Sequence, residues 1–502
     1  MMNSHCFLHS AVLRGVEAIP VCVEVSVGSG VVGISIVGMA DTSVQEARER
    51  VRGAIKACGF AMPSAKIVVN LAPGNIKKNG SGFDLPIAIG ILAASGQIDK
   101  EILRDKLFVG ELSLDGSVRK VAGMLAFGIC ANKEGLDLVG SADEIVPIDN
   151  LNQYNIDGLW ELTKSDPFRL SHYIKLGQNY IGDTSLDFKD VAGHEAAKRA
   201  AQIAVAGKHG LLMSGPPGSG KTMIASRIST IMPPLSEEEM LQAAAIHSVA
   251  EESIDAILRG RRPFRQPHHS ATMAGLLGGG SPIRPGEVSL AHCGTLFLDE
   301  LPEFKPSVLQ GLRQPIESGK VCITRADGNV QFPANFMLIA AANPCPCGYF
   351  GDDSRECTCT IPQIRSYQAR IGGPLLDRID IQLDVRRIPS KSIFETSEGS
   401  DSASLREGVM QAQEFASWRK SREGIERCGA NVSLSPQEVI ASCCLRDEEK
   451  SFIEAVSEAN SMSGRALISC LKVSRTIADL EQSESVKCEH LAEAFGFRVR
   501  SR

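Results

Sequence analysis

Apolar positions along the first 170 residues switch between short runs and a helical period. Short runs rich in β-branched residues predict strands, and a spacing of three to four predicts helices. The predicted strands are residues 21–27, 31–37, 66–71 and 107–110, and the predicted helices are residues 42–58 and 85–94. The pattern therefore predicts an α/β domain over residues 1–170.

The pattern becomes polar and aperiodic over residues 171–187, which predicts a linker, and it restarts at residue 188. Short apolar strands are predicted at residues 210–213, 295–298 and 336–341, with helices at 194–205 and 223–231. Such alternation predicts a parallel sheet in a second α/β domain, residues 188–390. Residues 391–502 begin as a Ser-rich linker and continue with helical patterns at 454–459, 467–480 and 486–495, which predicts a C-terminal helical lid.

Composition limits the classes of function. The chain has 502 residues, a net charge of −6 and only 5% aromatics, so binding to a nucleic acid would need a local basic surface. No apolar run is long enough for a transmembrane helix, and we expect no membrane partner. The 15 cysteines are an odd number and mostly scattered, which indicates reduced thiols and a cytoplasmic protein.

One segment matches the phosphate-binding pattern G-x-x-x-x-G-K-[ST] in full, between a predicted strand and a predicted helix. Its residues are Gly215, Pro216, Pro217, Gly218, Ser219, Gly220, Lys221 and Thr222. Glycines let the backbone N–H groups surround a phosphate, and the helix directs its N-terminal dipole to the same anion. We predict that Lys221 contacts the β- and γ-phosphates of ATP and that Thr222 binds Mg²⁺.

A second acidic motif follows the predicted strand at residues 295–298. Asp299 is predicted to hold the Mg²⁺, and Glu300 to orient and deprotonate the attacking water. A solvated acidic turn is the alternative, and the complete phosphate loop upstream argues against it.

The use of Glu300 as the predicted base, rather than a lone aspartate, resembles the pattern of the AAA+ superfamily of ring-forming ATPases. The resemblance implies that Asn343 is sensor 1, which positions the water against the γ-phosphate. It implies that Arg378 is an arginine finger reaching a neighbour's ATP, and that Arg465 is sensor 2, which closes the lid over the nucleotide. A surface salt bridge is the alternative for each arginine. A finger supplied by a neighbour implies a homo-oligomeric ring, a hexamer.

Longer motifs indicate one particular family within this superfamily. They are Asp190-Val-Ala-Gly-His-Glu-Ala-Ala-Lys198, Arg262-Pro-Phe-Arg-Gln-Pro-His-His269, Pro285-Gly-Glu-Val-Ser-Leu-Ala-His292 and Asn343-Pro-Cys-Pro-Cys-Gly348. Together they resemble the magnesium-chelatase-like ComM/YifB family over essentially the whole chain. The resemblance implies a bacterial ATPase that moves branched or single-stranded DNA, as a branch-migration helicase in recombination or natural transformation. A chelatase-type motor and a protein-remodelling ATPase remain as alternatives.

Residues 1–170 resemble the proteolytic domain of Lon-type proteases. The segment Lys78-Asn-Gly-Ser-Gly-Phe-Asp84 aligns with the loop that carries the nucleophile of Lon. Gly82 falls at the serine position and Leu125 at the lysine position, while Ser81 has no evident base. A Ser–Lys dyad is therefore missing, and we expect a domain for assembly or DNA binding rather than an ATP-dependent protease.

Three further clusters are candidates for binding. The first is a group of candidate DNA contacts, which combines arginines, a Gly-rich segment and a predicted hairpin. The arginines are Arg259, Arg261, Arg262, Arg265 and Arg284. The Gly-rich segment is 276–280, and the hairpin is predicted at 317–333 and bears Lys320 and Arg325. Subunit or nucleotide contacts are the alternative. His268 and His269 are expected to point apart and to serve structure. Cys345, Cys347, Cys357 and Cys359 could bind Zn²⁺ or remain four reduced thiols.

Overall fold

A mixed sheet of eight strands forms the framework of the N-terminal region. The computed structural model describes residues 4–142, 145–171, 173, 186–325, 328–388, 400–422 and 430–498. The strands are β1 (Ser4–Arg14), β2 (Glu17–Gly28), β3 (Gly33–Val37), β4 (Lys66–Ala72), β5 (Lys106–Phe108), β6 (Glu111–Leu112), β7 (Val118–Arg119), β8 (Asp137–Gly140), β9 (Gln153–Asn155) and β10 (Arg169–Ser171). Their order in the sheet is β10-β9-β8-β5-β1-β2-β4-β3, and β6 and β7 form a separate pair.

The described residues of this region also form three α-helices: α1 (Thr42–Ala57), α2 (Asp84–Ala94) and α3 (Met124–Glu134). Every residue of α2 is buried, because it packs on the long antiparallel pair β1–β2. The predicted strands and helices are confirmed within a few residues, but β1 was not predicted. Its buried positions include the small polar Ser10, which weakens the alternation of apolar and polar residues on which a strand prediction depends.

A second sheet has five parallel strands in the order β12-β15-β18-β11-β19. The strands of this region are β11 (Leu211–Ser214), β12 (Phe264–Arg265), β13 (Gly278–Gly279), β14 (Arg284–Pro285), β15 (Thr295–Leu298), β16 (Lys320–Arg325), β17 (Gly328–Pro333), β18 (Met337–Ala342) and β19 (Ile381–Asp384). Both faces of the sheet are buried, since Met213 and Ile339 belong to one hydrophobic cluster and Leu212 and Leu338 to another. The predicted parallel sheet is therefore confirmed.

Helices cover this sheet and continue to the C-terminus. Those of the sheet region are α4 (Glu195–Gly207), α5 (Lys221–Ile231), α6 (Glu237–Val249), α7 (Asp255–Leu258), α8 (Met273–Leu277), α9 (Glu287–Leu290), α10 (Pro306–Gly311), α11 (Arg313–Ser318), α12 (Ile361–Ala369) and α13 (Gly373–Leu376). The C-terminal helices are α14 (Ser402–Arg422), α15 (Pro436–Cys443), α16 (Asp447–Ala459), α17 (Gly464–Leu480) and α18 (Cys488–Gly496). Most of the linker predicted at 171–187, and residues 391–399 of the linker predicted to begin at 391, lie outside the described residues.

Buried polar groups join the C-terminal helices to the sheet. His209, two residues before β11, lies with Nδ1 3.0 Å from Asp380 Oδ2 and with Nε2 2.8 Å from Thr476 Oγ1 of α17. All three residues are buried. Because buried polar groups must keep their partners, this contact fixes how α17 lies against the sheet.

The N-terminal region packs on the second sheet region at two places. Leu125 of α3 shares a hydrophobic cluster with Ala243 and Ala244 of α6. At the tip of the β1–β2 hairpin, Gly15 has a φ of +66° and lies against β17. A Cβ atom at Gly15 would come within 3.0 Å of Val330 Cγ1 and 3.1 Å of the Gln331 carbonyl oxygen.

This hairpin contact can be tested with two glycines of similar backbone conformation. Gly15→Ala should destabilise the protein by about 1–2 kcal/mol for the left-handed backbone and by roughly 1–3 kcal/mol more for the crowding against β17. Gly59→Ala is the matched control, because Gly59 has a φ of +80° and nothing lies within 4 Å of its Cβ position. Urea unfolding measures both variants, and equal losses would contradict the contact.

Candidate nucleotide-binding site

Three neighbouring parallel strands place the predicted ATPase motifs at one edge of the sheet. β11 leads into the phosphate loop, β15 ends before Asp299, and β18 ends before Asn343. β18 lies between the other two, with Ala342 opposite Ser214 and Ala340 opposite Leu298. Since parallel strands end at the same edge, the structure brings these motifs together.

The phosphate loop depends on glycine at defined positions. Gly218 and Gly220 have φ values of +76° and +86°, a region that side chains other than glycine rarely occupy. A Cβ atom at Gly215 would lie 2.1 Å from the carbonyl oxygen of Val385. The loop therefore needs these glycines for its path, and α5 begins directly after Gly220.

Lys221 lies inside the loop, as predicted for a phosphate-binding lysine. Its Nζ donates to the carbonyl oxygens of Gly215 at 2.7 Å and Pro216 at 2.9 Å, and to Asn343 Oδ1 at 3.3 Å. Burial lowers the pKa of its ammonium group, and the charges of Asp299 and Glu300 oppose that shift. The lysine thus connects the phosphate loop with the predicted sensor 1 in one hydrogen-bonded group.

The two predicted magnesium ligands are adjacent. The Thr222 hydroxyl donates to Asp299 Oδ2 at 2.9 Å. A hydroxyl and a carboxylate next to a phosphate loop supply the oxygen donors that Mg²⁺ prefers, so this pair fits the ion.

Glu300 has a histidine partner that sequence reasoning missed. Its backbone φ is +51°, its side chain is half exposed, and its Oε2 lies 3.5 Å from His269 Nδ1. His269 follows β12, which pairs with β15, and this placement explains the contact. The expectation that His268 and His269 point apart was wrong, because their rings lie 4.0 Å apart at 35°.

Arg378 and Arg465 do not reach the phosphate loop of their own chain. Arg378 lies just before β19, at the edge of the sheet opposite to the loop, and its guanidinium pairs with Glu317. Arg465 Nη2 lies 2.8 Å from the same Glu317 carboxylate. The hydrogen bond from Arg465 is the largest cause that lowers the pKa of Glu317, and Arg378 lowers it as well. The predicted finger and the predicted sensor 2 therefore share one carboxylate.

A cavity of about 340 Å³ opens beside Arg378. Its lining residues are Gln310, Arg313, Gln314, Glu317, Ser318 and Arg378. The Arg378 Nε atom is buried and has no hydrogen-bond partner among the described residues. The cavity is thus lined by polar and charged side chains.

Comparison with known proteins assigns the family. The family model described as magnesium chelatase, subunit ChlI, matches residues 187–393. The model described as subunit ChlI of Mg-chelatase matches residues 23–150, and the one described as magnesium chelatase, subunit ChlI C-terminal, matches residues 399–498. The competence protein ComM of Haemophilus influenzae is 40% identical over 99% of this chain and 98% of its own length. YifB of Escherichia coli is 39% identical over 99% and 97%, and Rv2897c of Mycobacterium tuberculosis is 36% identical over 97% of both chains.

The chain belongs to the magnesium-chelatase-like ComM/YifB family.

Membership in the ComM/YifB family confirms the predicted AAA+ architecture and supports ATPase activity with ATP and Mg²⁺. The loop, Asp299 and Asn343 are the parts of the described structure that fit this activity. Among the described residues, no helix is long and apolar enough to cross a membrane.

The predicted arginine cluster divides into separate contacts in this family member. Arg262 is buried, donates to the carbonyl oxygens of Pro233 and Cys293 at 2.7 Å each, and pairs with Glu239 at 2.7 Å. Glu287 and Glu252 hold Arg265 through four hydrogen bonds. For these two arginines the expectation of a DNA-facing cluster was wrong, since their guanidinium groups are already occupied by internal partners.

The remaining arginines lie nearer the surface. Arg284 is half exposed and pairs with Glu251 at 3.3 Å, whereas Arg259 and Arg261 are exposed. The segment 276–280 is also less open than expected, because Leu276 is fully buried and Gly278–Gly279 pairs with Arg284–Pro285. Within residues 276–280 only Gly280 is exposed, and the exposed turn continues to Pro282.

In the N-terminal region, the residues that correspond to the Lon active site do not form a Ser–Lys pair among the described residues. The Ser81 hydroxyl donates to Glu111, a carboxylate. Leu125, at the expected lysine position, is fully buried against α6. Lys78 is buried and donates to the Pro73 carbonyl oxygen, and burial lowers its pKa.

The four cysteines predicted as a possible zinc site are brought together. Cys345, Cys347, Cys357 and Cys359 offer sulfur atoms that all lie within 4.8 Å of one another. A backbone hydrogen bond from Tyr349 is the main cause that lowers the pKa of Cys347, to about 5.

Glu300 can be tested as the general base. Glu300→Gln should keep ATP binding and reduce turnover by about 10²–10⁴-fold, because the amide cannot accept the proton of the attacking water. Glu303→Gln is the control, since Glu303 lies one turn further on and pairs with Arg370. Phosphate release measures turnover and a fluorescent ATP analogue measures binding. Near-normal turnover of Glu300→Gln would remove Glu300 from the role.

Proposed function

We propose that this chain is the subunit of a ring motor, a hexamer, that couples ATP hydrolysis to DNA movement and acts as a branch-migration helicase in recombination or natural transformation. In this proposal, residues 188–390 are the ATPase core and 391–502 the linker and lid. Residues 1–170 serve assembly or DNA binding, and 171–187 link the two regions. The site of action would be the cytoplasm, where chromosomal DNA lies.

The observation that carries the proposal is a nucleotide site divided between two edges of one sheet. The carboxyl edge supplies the phosphate loop, Asp299, Glu300 and Asn343, whereas Arg378 and Arg465 lie together at the amino edge. A second copy that places its amino edge against the first copy's ATP would complete the site. In that arrangement both arginines act on a neighbour's nucleotide, and Glu317 is a positioning residue.

The DNA substrate is supported by the relatives and by the surface. The relative from Haemophilus influenzae, similar over nearly its full length, is named a competence protein. In this chain, β16 and β17 form the predicted hairpin, with Lys320 exposed at its base. An exposed cation on a hairpin suits contacts to the phosphate backbone that do not depend on base sequence.

A chelatase-type motor is the second candidate, because the matching family models are described as magnesium chelatase subunit ChlI. Such a motor would act on a protein partner and leave DNA unbound. A protein-remodelling ATPase, the other alternative, would also leave DNA unbound. Stimulation of ATP hydrolysis by DNA therefore separates the leading proposal from both alternatives.

The cofactors in this proposal are ATP and Mg²⁺. Thr222 and Asp299 would hold the Mg²⁺, and the backbone of the phosphate loop with Lys221 would hold the phosphates. A structural Zn²⁺ at the four clustered cysteines belongs to the same assignment.

The shared site predicts complementation between inactive subunits. Arg378→Ala alone should bind ATP and lose hydrolysis on the order of 10³-fold, since the charge that stabilises the transition state is missing. Mixing it with Glu300→Gln should restore part of the turnover, because some interfaces then combine an intact Glu300 with an intact arginine. Steady-state phosphate release measures both.

Arg422→Ala is the control for loss of an exposed arginine elsewhere, and it should hydrolyse ATP normally. Arg465→Ala should complement in the same way as Arg378→Ala. If mixtures stayed as inactive as the separate variants, the arginines would not act between subunits.

A synthetic four-way DNA junction tests the substrate. With ATP and Mg²⁺ the protein should convert the labelled junction into duplex products, and Lys221→Ala should bind the junction and leave it intact. Gel separation of the products measures the reaction. Absence of both junction conversion and DNA-stimulated ATP hydrolysis would exclude the DNA motor and favour one of the other two candidates.

A further inference from the structure

The loop between β18 and α12 gathers four thiols at one point. Cys345 Sγ lies 3.3 Å from Cys347 Sγ and 3.6 Å from Cys357 Sγ, and the sulfurs of Cys347 and Cys357 are 3.5 Å apart. Cys359 completes the group, with every pair of sulfurs within 4.8 Å. Cys345 is fully buried and the other three are partly buried.

These separations suit one tetrahedral metal ion. Four Zn–S bonds of 2.3 Å at tetrahedral angles place the sulfurs about 3.8 Å apart. A disulfide would need an S–S distance of about 2.05 Å, well below the shortest separation here. A cluster of several irons would need thiolates spread around a larger body. The spacing therefore favours a single Zn²⁺.

The backbone is folded to direct both cysteine pairs inward. The N–H of Gly348 donates to the Cys345 carbonyl oxygen at 2.9 Å, and Gly348 has a φ of +86°, so a tight turn closes the first pair. In the second pair, the N–H of Cys359 lies 3.4 Å from Cys357 Sγ. A backbone N–H that points at a cysteine sulfur helps to orient that sulfur for metal binding.

The same turn packs directly on the phosphate loop. A Cβ atom at Gly348 would lie 2.6 Å from Pro217 Cδ, so the backbone of the turn is in close contact with that proline. The first cysteine, Cys345, comes two residues after Asn343, whose side chain accepts from Lys221. Positions of the turn and of the phosphate loop are therefore coupled at two points.

Arg387 adds a third connection. Its Nη2 donates to the Pro217 carbonyl oxygen at 2.9 Å, and its Nη1 donates to Ser354 Oγ at 3.2 Å. Its Nε lies 3.5 Å from Asp352 Oδ2. Asp352 and Ser354 belong to the stretch between the two cysteine pairs, so one guanidinium joins that stretch to the phosphate loop.

We infer that one Zn²⁺ bound by Cys345, Cys347, Cys357 and Cys359 holds the phosphate loop and Asn343 in the geometry that binds ATP. The ion takes no part in hydrolysis and acts through Pro217 and Arg387. The inference rests on the proposed ATP site, and it does not depend on DNA as the substrate.

Metal content tests whether the four cysteines bind one Zn²⁺. Full-length protein purified without added metal should contain about one zinc per chain, and Co²⁺ exchanged into it should give the visible absorption of tetrahedral thiolate coordination. Cys357→Ser with Cys359→Ser should lose both signals, while Cys322→Ser, which removes an exposed cysteine of β16, should keep them. Folded wild-type protein without zinc, or with iron instead, would overturn the site.

ATP affinity tests whether the zinc-bound turn holds the phosphate loop, and the Arg387 variant does so without removing the metal. Arg387→Ala should retain one zinc per chain and bind a fluorescent ATP analogue about 10- to 100-fold more weakly, because the phosphate loop loses its connection to the turn. Arg386→Ala is the matched control, since Arg386 is the exposed neighbouring arginine. Stripping zinc with a chelator should weaken binding by a similar factor, and re-adding Zn²⁺ should restore it.

The outcomes separate the two proposals. Unchanged ATP affinity in both Arg387→Ala and the zinc-free protein would overturn the role assigned to the ion, even with zinc present. If the protein did not act on DNA, its zinc content and the ATP affinities of the variants would be unchanged. Failure of the ATP site itself would appear as no binding in wild-type protein.

Discussion

Parallel pairing of β18 with both β11 and β15 is the constraint on which the nucleotide site depends. Hydrogen bonding across these three strands fixes where each one ends, and the three motifs begin where the strands end. Ile339 and Leu338 pack into separate apolar clusters on the two faces, so a change of register would disrupt close packing on both. A Lys221 that contacts both the loop and Asn343 is the direct result.

The other two regions are fitted to this sheet by different kinds of contact. The N-terminal region uses apolar packing of α3 on α6, together with the close approach of Gly15 to β17. The C-terminal helices add buried polar contacts to their apolar packing: Thr476 lies 2.8 Å from His209, and Ser469 donates to Asp380. Apolar packing tolerates small shifts, whereas buried charged groups demand fixed partners. Such buried polar partners define closely how the C-terminal helices lie against the sheet.

Local chemistry explains which parts of the site could be predicted from the sequence. The phosphate loop and Asp299 depend on neighbours in the chain, so their pattern is complete in a few residues. Contacts between distant segments were missed, since nothing near His269 in the sequence indicates that it faces Glu300. The same reason explains Arg262, which looked like part of a basic cluster and is in fact buried against Glu239.

Prediction of the fold followed a similar division. Strands with strong apolar runs, such as β15 and β18, were found almost to the residue. β1 was not found, because its buried side includes a serine and its exposed side includes Phe7. A strand that pairs with a long neighbour over eleven residues needs less apolar character of its own, and only the pairing reveals it.

The separation of Arg378 from Asp299, at opposite edges of one sheet, gives the subunit a polarity. If a complete catalytic centre takes one edge from each of two copies, those copies must stand head to tail. A two-fold symmetric pair would join like edges and contain no complete centre, while an open head-to-tail pair would contain one. Head-to-tail contacts continue until they close on themselves or grow into a filament. The curvature between adjacent copies would then decide how many active centres one assembly holds.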